Sequence, residues 1–139
     1  MTERFLVDTS VWIEALRPGG RPDIAAWLRQ AILRDSVVLA QPVRTELLIG
    51  ARDERQSEEL KKKLGALPLL EAASQVWERA ASLGFRLRRR GRTVPLVDLL
   101  IAALALEGSH TLAHRDEHFE LIREVEPGLR TLNFIGPRQ

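Results

Sequence analysis

The stretch Val94-Pro-Leu-Val-Asp98-Leu-Leu-Ile-Ala-Ala-Leu-Ala-Leu106 is the most apolar part of the chain, and Asp98 is its only polar residue. Pro95 suits a first helical turn, and the residues three and four positions from Asp98 are all apolar. The stretch therefore predicts a buried helix that Gly108 closes. A carboxylate taken out of water must neutralise itself, pair or bind a metal. The alternative is a structural acid in the first helical turn, where the helix dipole stabilises it.

Short apolar runs alternate with helical patterns on both sides of this stretch. Strands that alternate with helices imply a mainly parallel sheet covered on both faces, because parallel strands need long crossover connections. We predict a single α/β domain over residues 1–139, with a mainly parallel central sheet of about four to five strands flanked by helices on both faces. The predicted strands are residues 5–7, 36–40, 67–70, 111–113 and 131–135. The predicted helices are residues 11–16, 24–32, a segment opened by Pro42, 58–64, 74–90, the segment around Asp98 and 118–123.

Two of the predicted helices have apolar residues at helical spacing, which predicts the face that each turns towards the core. Trp12, Trp27 and Trp77 all fit such faces, so we expect them in the core. The inward residues predicted for the helix after Pro22 are Ile24, Trp27, Leu28, Ala31 and Ile32. Those predicted for the helix over 74–90 are Val76, Trp77, Ala80 and Ala81.

The composition is typical of a soluble globular protein, with 45% hydrophobic and 29% charged residues. The sequence contains no cysteine, which excludes disulfides and thiolate ligands, so a metal would take oxygen or imidazole ligands. The apolar run around Asp98 is too short to span a bilayer and carries a charge. No small-residue cleavage site follows Met1-Thr-Glu-Arg4, so we predict no signal peptide and expect a cytoplasmic protein without a membrane partner.

Five arginines fall between Arg86 and Arg92, although the formal net charge of the chain is only +2. The guanidinium fork suits phosphate groups, which favours a role in nucleic-acid binding. Cations are also favoured near the C-terminal end of a helix, and charge runs are usually solvated faces. Both interpretations of this arginine tract stay open at the level of sequence.

Other carboxylates are predicted to lie at one edge of the sheet. Asp8 and Asp116 follow predicted strands, and the functional crevice of an open α/β sheet lies beyond the carboxyl ends of its strands. Glu46 lies in the helix after the second strand, and its helical neighbours are apolar, which repeats the pattern of Asp98. Clustered carboxylates raise one another's pKa unless a cation joins them. Mg²⁺ or Mn²⁺ would satisfy such a cluster while keeping several waters.

A site of this kind favours hydrolysis of a phosphodiester, because a bound metal activates water and stabilises the attacking and leaving oxygens. Nearby arginines would hold the backbone of a nucleic acid. Aromatic residues are scarce, with four Phe, three Trp and no Tyr, which argues against sequence readout by base stacking.

Four acidic stretches follow one another along the chain: Phe5-Leu-Val-Asp8-Thr-Ser-Val-Trp-Ile13, Arg44-Thr-Glu46-Leu-Leu-Ile-Gly50, Val94-Pro-Leu-Val-Asp98-Leu-Leu-Ile-Ala-Ala103 and Leu112-Ala-His-Arg-Asp116-Glu-His-Phe119. Together they resemble the four acidic motifs of PIN-domain ribonucleases. More narrowly, they resemble VapC-type toxins of toxin–antitoxin modules. The similarity covers nearly the whole chain, with the motifs in the family's order and at family-like spacing.

The resemblance implies a PIN-like α/β/α sandwich and a divalent-metal-dependent endoribonuclease that acts as the toxin of a toxin–antitoxin pair. It implies metal binding by Asp8, Glu46, Asp98 and Asp116, and a hydroxyl from Ser10 in the same site. It also implies three partners: an RNA substrate, a second copy of the chain in a homodimer, and an antitoxin whose tail blocks the acidic cleft.

Three other functions compete with this hypothesis. His114-Arg-Asp-Glu117-His118 matches the H-x-x-E-H pattern of one class of zinc peptidase. That chemistry needs both histidines on one helix, whereas His114 follows a strand pattern, so two surface histidines beside a strand end are the simpler interpretation. A receiver-like Mg²⁺-binding signalling domain would need a lysine after a later strand, but lysine occurs only at residues 61–63. A PIN-like binding module without nuclease activity would not need all four acids.

Overall fold

A computed structural model describes residues 3–136 of the chain. Met1 and Thr2, on which the expectation of a missing signal peptide partly rests, lie outside the described residues, as do residues 137–139. The strands are β1 (Phe5–Val7), β2 (Val37–Ala40), β3 (Leu69–Leu70), β4 (Thr111–His114) and β5 (Thr131–Asn133). They form one five-stranded sheet in which every neighbouring pair is parallel. The predicted α/β class and parallel sheet are confirmed.

Helices connect the strands as the alternating pattern predicts. The fourth begins at Glu54, earlier than the predicted residue 58, because the side chain of Asp53 caps it by accepting a hydrogen bond from Gln56 N at 2.8 Å. The helices of residues 3–136 are α1 (Thr9–Leu16), α2 (Pro22–Leu33), α3 (Gln41–Ile49), α4 (Glu54–Leu64), α5 (Ser74–Arg89), α6 (Leu96–Gly108) and α7 (Glu117–Val125). None of them is long and apolar enough to cross a membrane.

The strand order β3-β2-β1-β4-β5 makes this a doubly wound sheet. From β1 the chain proceeds outward to β2 and β3, and it then crosses back to β4 and β5 on the other side. Right-handed crossovers therefore place α1 to α4 on one face and α5 to α7 on the other. The packing agrees, since α1 contacts α2 and α3 while α5 contacts α6 and α7. The winding reverses between β1 and β4, which is where ligands bind in sheets of this type.

Helix α6 is the most deeply buried helix, as its sequence predicts. Each residue from 99 to 105 is buried in the core. Pro95 is the N-cap of α6, immediately before the first turn. The predicted end at Gly108 is nearly correct, but the left-handed position that stops the helix belongs to Ser109, with φ of 55°.

Two of the predicted inward faces are partly wrong. Trp77 is 49% exposed and Ala81 is exposed, so the buried face of α5 is rotated towards Leu83 and Leu87. Ile32 of α2 is also 39% exposed. The other two tryptophans follow the prediction: Trp12 is buried, and Trp27 packs edge-on against Phe5 and Phe134.

Candidate metal centre

The acids predicted to converge do so at the carboxyl ends of β1 and β4. Asp8 follows β1 directly and is the N-cap of α1, while Asp116 follows β4 and is the N-cap of α7. A hydrogen bond of 2.9 Å from Asp8 N to Ala113 O joins the two strand ends. Asp98 reaches the same place from the first turn of α6. The site therefore lies at the point where the winding of the sheet reverses.

Asp98, Asp116 and His118 form the tightest group of potential metal ligands. Among residues 3–136 they are the only set of three or more such side chains with ligand atoms within 4.8 Å of one another. The imidazole lies between the two carboxylates, with Nδ1 2.8 Å from Asp98 Oδ2 and 3.3 Å from Asp116 Oδ1. The backbone N–H of His118 also donates to Asp116 Oδ1 at 2.9 Å.

Asp8 lies beside this group and is held by the start of α1. Its side chain is almost fully buried, and Oδ2 accepts hydrogen bonds from Ser10 N at 3.0 Å and from Ser10 Oγ at 2.6 Å. Ser10 Oγ in turn accepts a bond of 2.9 Å from Arg115 N, in the loop that leads to Asp116. The hydroxyl of Ser10 therefore orients the Asp8 carboxylate and connects the ends of β1 and β4.

Glu46 stands at the outer side of the site, where Thr9 Oγ1 donates to its Oε1 at 2.7 Å. The sequence pattern suggested that Glu46 repeats the buried environment of Asp98, and this is wrong. Glu46 is exposed and its helical neighbour Ile49 is 78% exposed, because this face of α3 points away from the core. The charge of Glu46 nevertheless acts on Asp98 and raises its pKa.

Burial is the main electrostatic influence on the inner acids. It raises the pKa of the Asp8 carboxyl from 3.8 to about 6, although hydrogen bonds from Ser10 lower it, and the charge of Asp98 adds to the rise. Burial also raises the pKa of Asp98, against the hydrogen bond from His118, and the charges of Asp116 and Glu46 raise it further. The mutual repulsion expected from the sequence is present, but it is the smaller cause.

A buried histidine supports the loop that carries Asp116. His114 ends β4 with no exposed surface, and its Nδ1 accepts a hydrogen bond of 3.1 Å from Asp116 N. Its Nε2–H donates to Glu120 Oε2 at 2.7 Å. Burial would raise the pKa of Glu120, but hydrogen bonds from His114, Arg123 and Thr131 together lower it. Both ring nitrogens are thus used, which fixes the tautomer and the position of the Asp116 backbone.

A second buried acid, Glu14, supports the same loop from the side of α1. It accepts hydrogen bonds from Arg17 Nη2 at 3.0 Å, Arg21 N at 2.8 Å and Arg115 Nη1 at 2.8 Å. The hydrogen bond from Arg17 lowers the pKa of Glu14 most, and the one from Arg21 N lowers it next. Glu14 therefore anchors Arg115, whose backbone N–H holds Ser10.

The H-x-x-E-H match does not form a zinc-peptidase site. His114 is the last residue of β4, whereas His118 lies in the first turn of α7, so the two histidines share no helix. The expectation of two surface histidines is wrong for His114, which is fully buried, whereas His118 is partly exposed and faces the acids. His118 was not among the predicted site residues. The sequence signal that could have identified His118 is its position two residues after Asp116. The side chain of an N-cap residue lies beside the residue two positions later in the helix.

Three residues of the arginine tract have structural partners. Arg86 Nη1 donates to Val125 O at 2.8 Å, Arg90 Nη1 donates to Glu124 O at 3.2 Å, and Arg92 Nε lies 3.5 Å from Glu124 Oε1. These partners are at the C-terminal end of α7, about 13 Å along the helix from Asp116. This part of the tract joins α5 and the loop after it to α7, away from the acids.

A groove of about 470 Å³ lies between α1, α3 and α4, on the outer side of the site. Glu46 lies on its wall, and the exposed apolar side chains of Ile13 and Leu16 line it. Charged side chains such as Arg17, Glu59 and Lys63 share the lining with these apolar residues, and Glu46 is the acid of the site that borders the groove.

The donor set fits a divalent cation. Two carboxylates and one imidazole meet within ligand distance of one another, and Asp8 and Glu46 add negative charge around them. Oxygen and imidazole donors suit several divalent ions. The assignment of Asp8, Glu46, Asp98 and Asp116 as metal ligands stays a prediction, as does the place of Ser10 in the site; Asp98 and Asp116 belong to the tight group, whereas Asp8 and Glu46 do not.

The comparisons with known proteins agree with this geometry. The PIN domain family matches residues 5–125. A VapC ribonuclease of Mycobacterium bovis, Mb1587, is 34% identical over 126 residues, which covers 87% of this chain and 92% of the relative. FitAcB from Neisseria gonorrhoeae superposes with a TM-score of 0.76 at 27% identity, over 93% of this chain and 96% of that one. VapBC2 from Rickettsia felis, solved bound to a DNA fragment from its promoter, has a TM-score of 0.77 at 20% identity and covers 94% of this chain and 98% of its own.

Proposed function

Because the chain belongs to the PIN-domain family, and within it to the VapC ribonucleases, we propose that its acidic cleft hydrolyses RNA phosphodiesters with a bound divalent metal. The observation that carries this proposal is the convergence of Asp98, Asp116 and His118 at the carboxyl ends of β1 and β4. The whole of residues 1–139 then serves as one nuclease domain. The ion is Mg²⁺ or Mn²⁺, which suit sites rich in carboxylates.

The residues of the site have separate roles in this proposal. A divalent ion bound there supplies an activated water and neutralises the charge that develops on the phosphate. Asp98 and Asp116 would hold the ion, and Asp8 and Glu46 would add further carboxylate ligands. Ser10 keeps Asp8 oriented through its hydroxyl, 2.6 Å from Oδ2.

The proposed partners follow from the family. The chain acts as the toxin of a toxin–antitoxin pair in the cytoplasm, forms a homodimer and is inhibited by an antitoxin. The groove beside Glu46 supports the last point, because its apolar wall would accept the tail of an antitoxin that blocks the acids.

The test is RNA cleavage by the purified protein with Mg²⁺ or Mn²⁺, with EDTA, and by Asp98→Asn. EDTA and the substitution should each reduce the rate of cleavage to below about one hundredth, because the loss of metal stabilisation costs several kcal/mol. Asn keeps the shape of Asp and can accept the hydrogen bond from His118, so the fold should be retained. Cleavage that survives both treatments would contradict the metal site.

The matched control is Asp35→Asn. Asp35 is exposed and precedes β2, at the amino edge of the sheet, opposite the acids. Its left-handed backbone, with φ of 57°, tolerates Asn. This variant should cleave RNA at the wild-type rate, and a matching loss of activity would show that removal of a carboxylate acts non-specifically.

A further inference from the structure

The imidazole of His118 is the one nitrogen donor in the tight group of ligands. Its Nδ1 is 2.8 Å from Asp98 Oδ2 and 3.3 Å from Asp116 Oδ1, so it lies where an ion held by both carboxylates would be its neighbour. A site built from acids alone would present only oxygen to the ion. This site presents oxygen and nitrogen.

The position of this nitrogen is set by the fold. The backbone N–H of His118 donates to Asp116 Oδ1 in the N-terminal cap of α7. The next residue, Phe119, has no exposed surface and anchors this turn in the core. The cap and the anchor together direct Nδ1 towards the acids before any ion arrives.

We propose that His118 is a metal ligand through Nδ1 and gives the site a preference for first-row transition-metal ions over Mg²⁺. This inference rests on the proposed metal-dependent function and adds the identity of one ligand and the class of ion. Mg²⁺ demands oxygen ligands in near-ideal octahedral geometry and dehydrates reluctantly. Transition-metal ions accept imidazole readily, so replacing one oxygen ligand by nitrogen penalises Mg²⁺ relative to them.

A different role for His118 must be separated from ligation. The side chain is 37% exposed, so it has room to turn away when an ion displaces its hydrogen bonds to the acids. In that case the imidazole only fills the site between the carboxylates in the metal-free protein. The two roles differ in whether nitrogen is bonded to the ion.

The experiment uses Mn²⁺ as a probe because its electron spin reports the nuclei bonded to it. Pulsed electron paramagnetic resonance on the full chain loaded with Mn²⁺ should show the ¹⁴N coupling of a directly bound imidazole. The coupling should be absent from His118→Asp, which keeps a ligand at this position but offers oxygen. A circular dichroism melt of the metal-free variant checks that it folds.

The second measurement is the ratio of the Mn²⁺ and Mg²⁺ dissociation constants, from titration of the metal-free protein with each ion. Wild-type protein should bind Mn²⁺ more tightly than Mg²⁺, and the preference should fall about tenfold in His118→Asp and in His118→Asn. A residue that only supports Asp98 would change both affinities together and leave the ratio unchanged.

The possible results distinguish the role of His118 from the proposed metal-dependent nuclease activity. Mn²⁺ binding without ¹⁴N coupling, or an unchanged ratio in the variants, overturns the role of His118 while cleavage that depends on Asp98 upholds the nuclease. A protein that binds neither ion overturns both. Coupling that disappears in His118→Asp together with a reduced preference for Mn²⁺ supports the inference.

Discussion

Asp8 follows β1 directly, and only 4% of its surface is exposed. The raised pKa means that the folded, metal-free protein retains this proton to higher pH than the unfolded chain does. The stability that the protonated acid contributes is therefore complete below its ordinary pKa of 3.8 and is lost as the pH rises through about 6. At neutral pH the ionised acid opposes folding until a cation joins it.

Asp8→Asn should raise the stability of the metal-free protein at neutral pH. Asn remains a good N-cap for α1 and cannot ionise, so the free energy of unfolding should rise by up to about 3 kcal/mol. Denaturant unfolding in EDTA at several pH values checks this, and the gain should disappear below about pH 4. No gain at neutral pH would contradict the burial of an ionised carboxyl.

Asp23→Asn is the matched control for this prediction, because its pKa is shifted in the opposite direction. The hydrogen bond from Arg21 lowers the pKa of Asp23. Asp23 therefore contributes stability above its ordinary pKa, and this stability is lost as the pH falls. Asp23→Asn should lower the stability at neutral pH, where Asp8→Asn raises it.

Single residues also show how far sequence reasoning reaches into the site. The isolation of Asp98 in an apolar stretch indicated its importance, and the strand ends indicated Asp8 and Asp116. The contact between His118 and Asp98 could not be read from the sequence, because it joins residues 20 apart through the packing of α6 and α7. The burial predicted for Glu46 was wrong for another reason. Periodicity shows which residues share a helix face, but it does not show whether that face packs against the core.

The turn between α1 and α2 depends on a glycine at a close approach. A Cβ added to Gly20 would lie 1.9 Å from Glu14 O, a backbone atom that cannot move without displacing α1. The next residue, Arg21, donates its backbone N–H to the Glu14 side chain. The absence of a side chain at position 20 therefore lets the turn reach the buried acid.

Gly20→Ala should destabilise the protein by about 2–3 kcal/mol, since the clash displaces the turn and weakens the hydrogen bonds of Glu14. Gly50→Ala is the control, because its Cβ would meet nothing closer than 3.6 Å and its backbone is αR. Chemical denaturation of both variants measures the difference. Equal stability of the two variants would contradict the close approach.

The boundaries of the elements were more predictable than their orientation. Capping residues and apolar periodicity located every strand and helix to within a few residues, as with Pro42 in the first turn of α3. Trp77 was assigned to the wrong side of α5 because the helix buries a face of small and aliphatic residues that lies beside it. Local pattern determines an element, whereas its neighbours determine the face that it buries.

The order of the strands in the sheet is determined by the topology of the whole chain. Alternation of strands and helices predicted the parallel sheet, but the order β3-β2-β1-β4-β5 depends on which crossover reverses direction, and no local signal encodes that. The reversal brings together acids from the beginning and the end of the chain, so their repulsion opposes the fold as a whole.

Metal binding should therefore stabilise the entire domain. With Mn²⁺ at about one hundred times its dissociation constant, the free energy of unfolding should rise by about 2.7 kcal/mol and the melting temperature by about 5–10 °C. EDTA should reverse the change in a thermal melt. Asp98→Asn should lose it and Asp35→Asn should retain it, while a melting temperature insensitive to the ion in the wild type would contradict the linkage.

The hydrogen bond between Arg115 N and Ser10 Oγ joins residues 105 positions apart, and this separation has a consequence for synthesis of the chain. The N-terminal part of a chain leaves the ribosome first, so Asp8 and Ser10 emerge long before their partners Ala113 and Arg115. Contacts between such distant parts of a chain form late in folding. A growing polypeptide, or one that is terminated before β4, thus lacks Asp116 and His118, and we expect no attack on RNA until translation of the chain is almost complete.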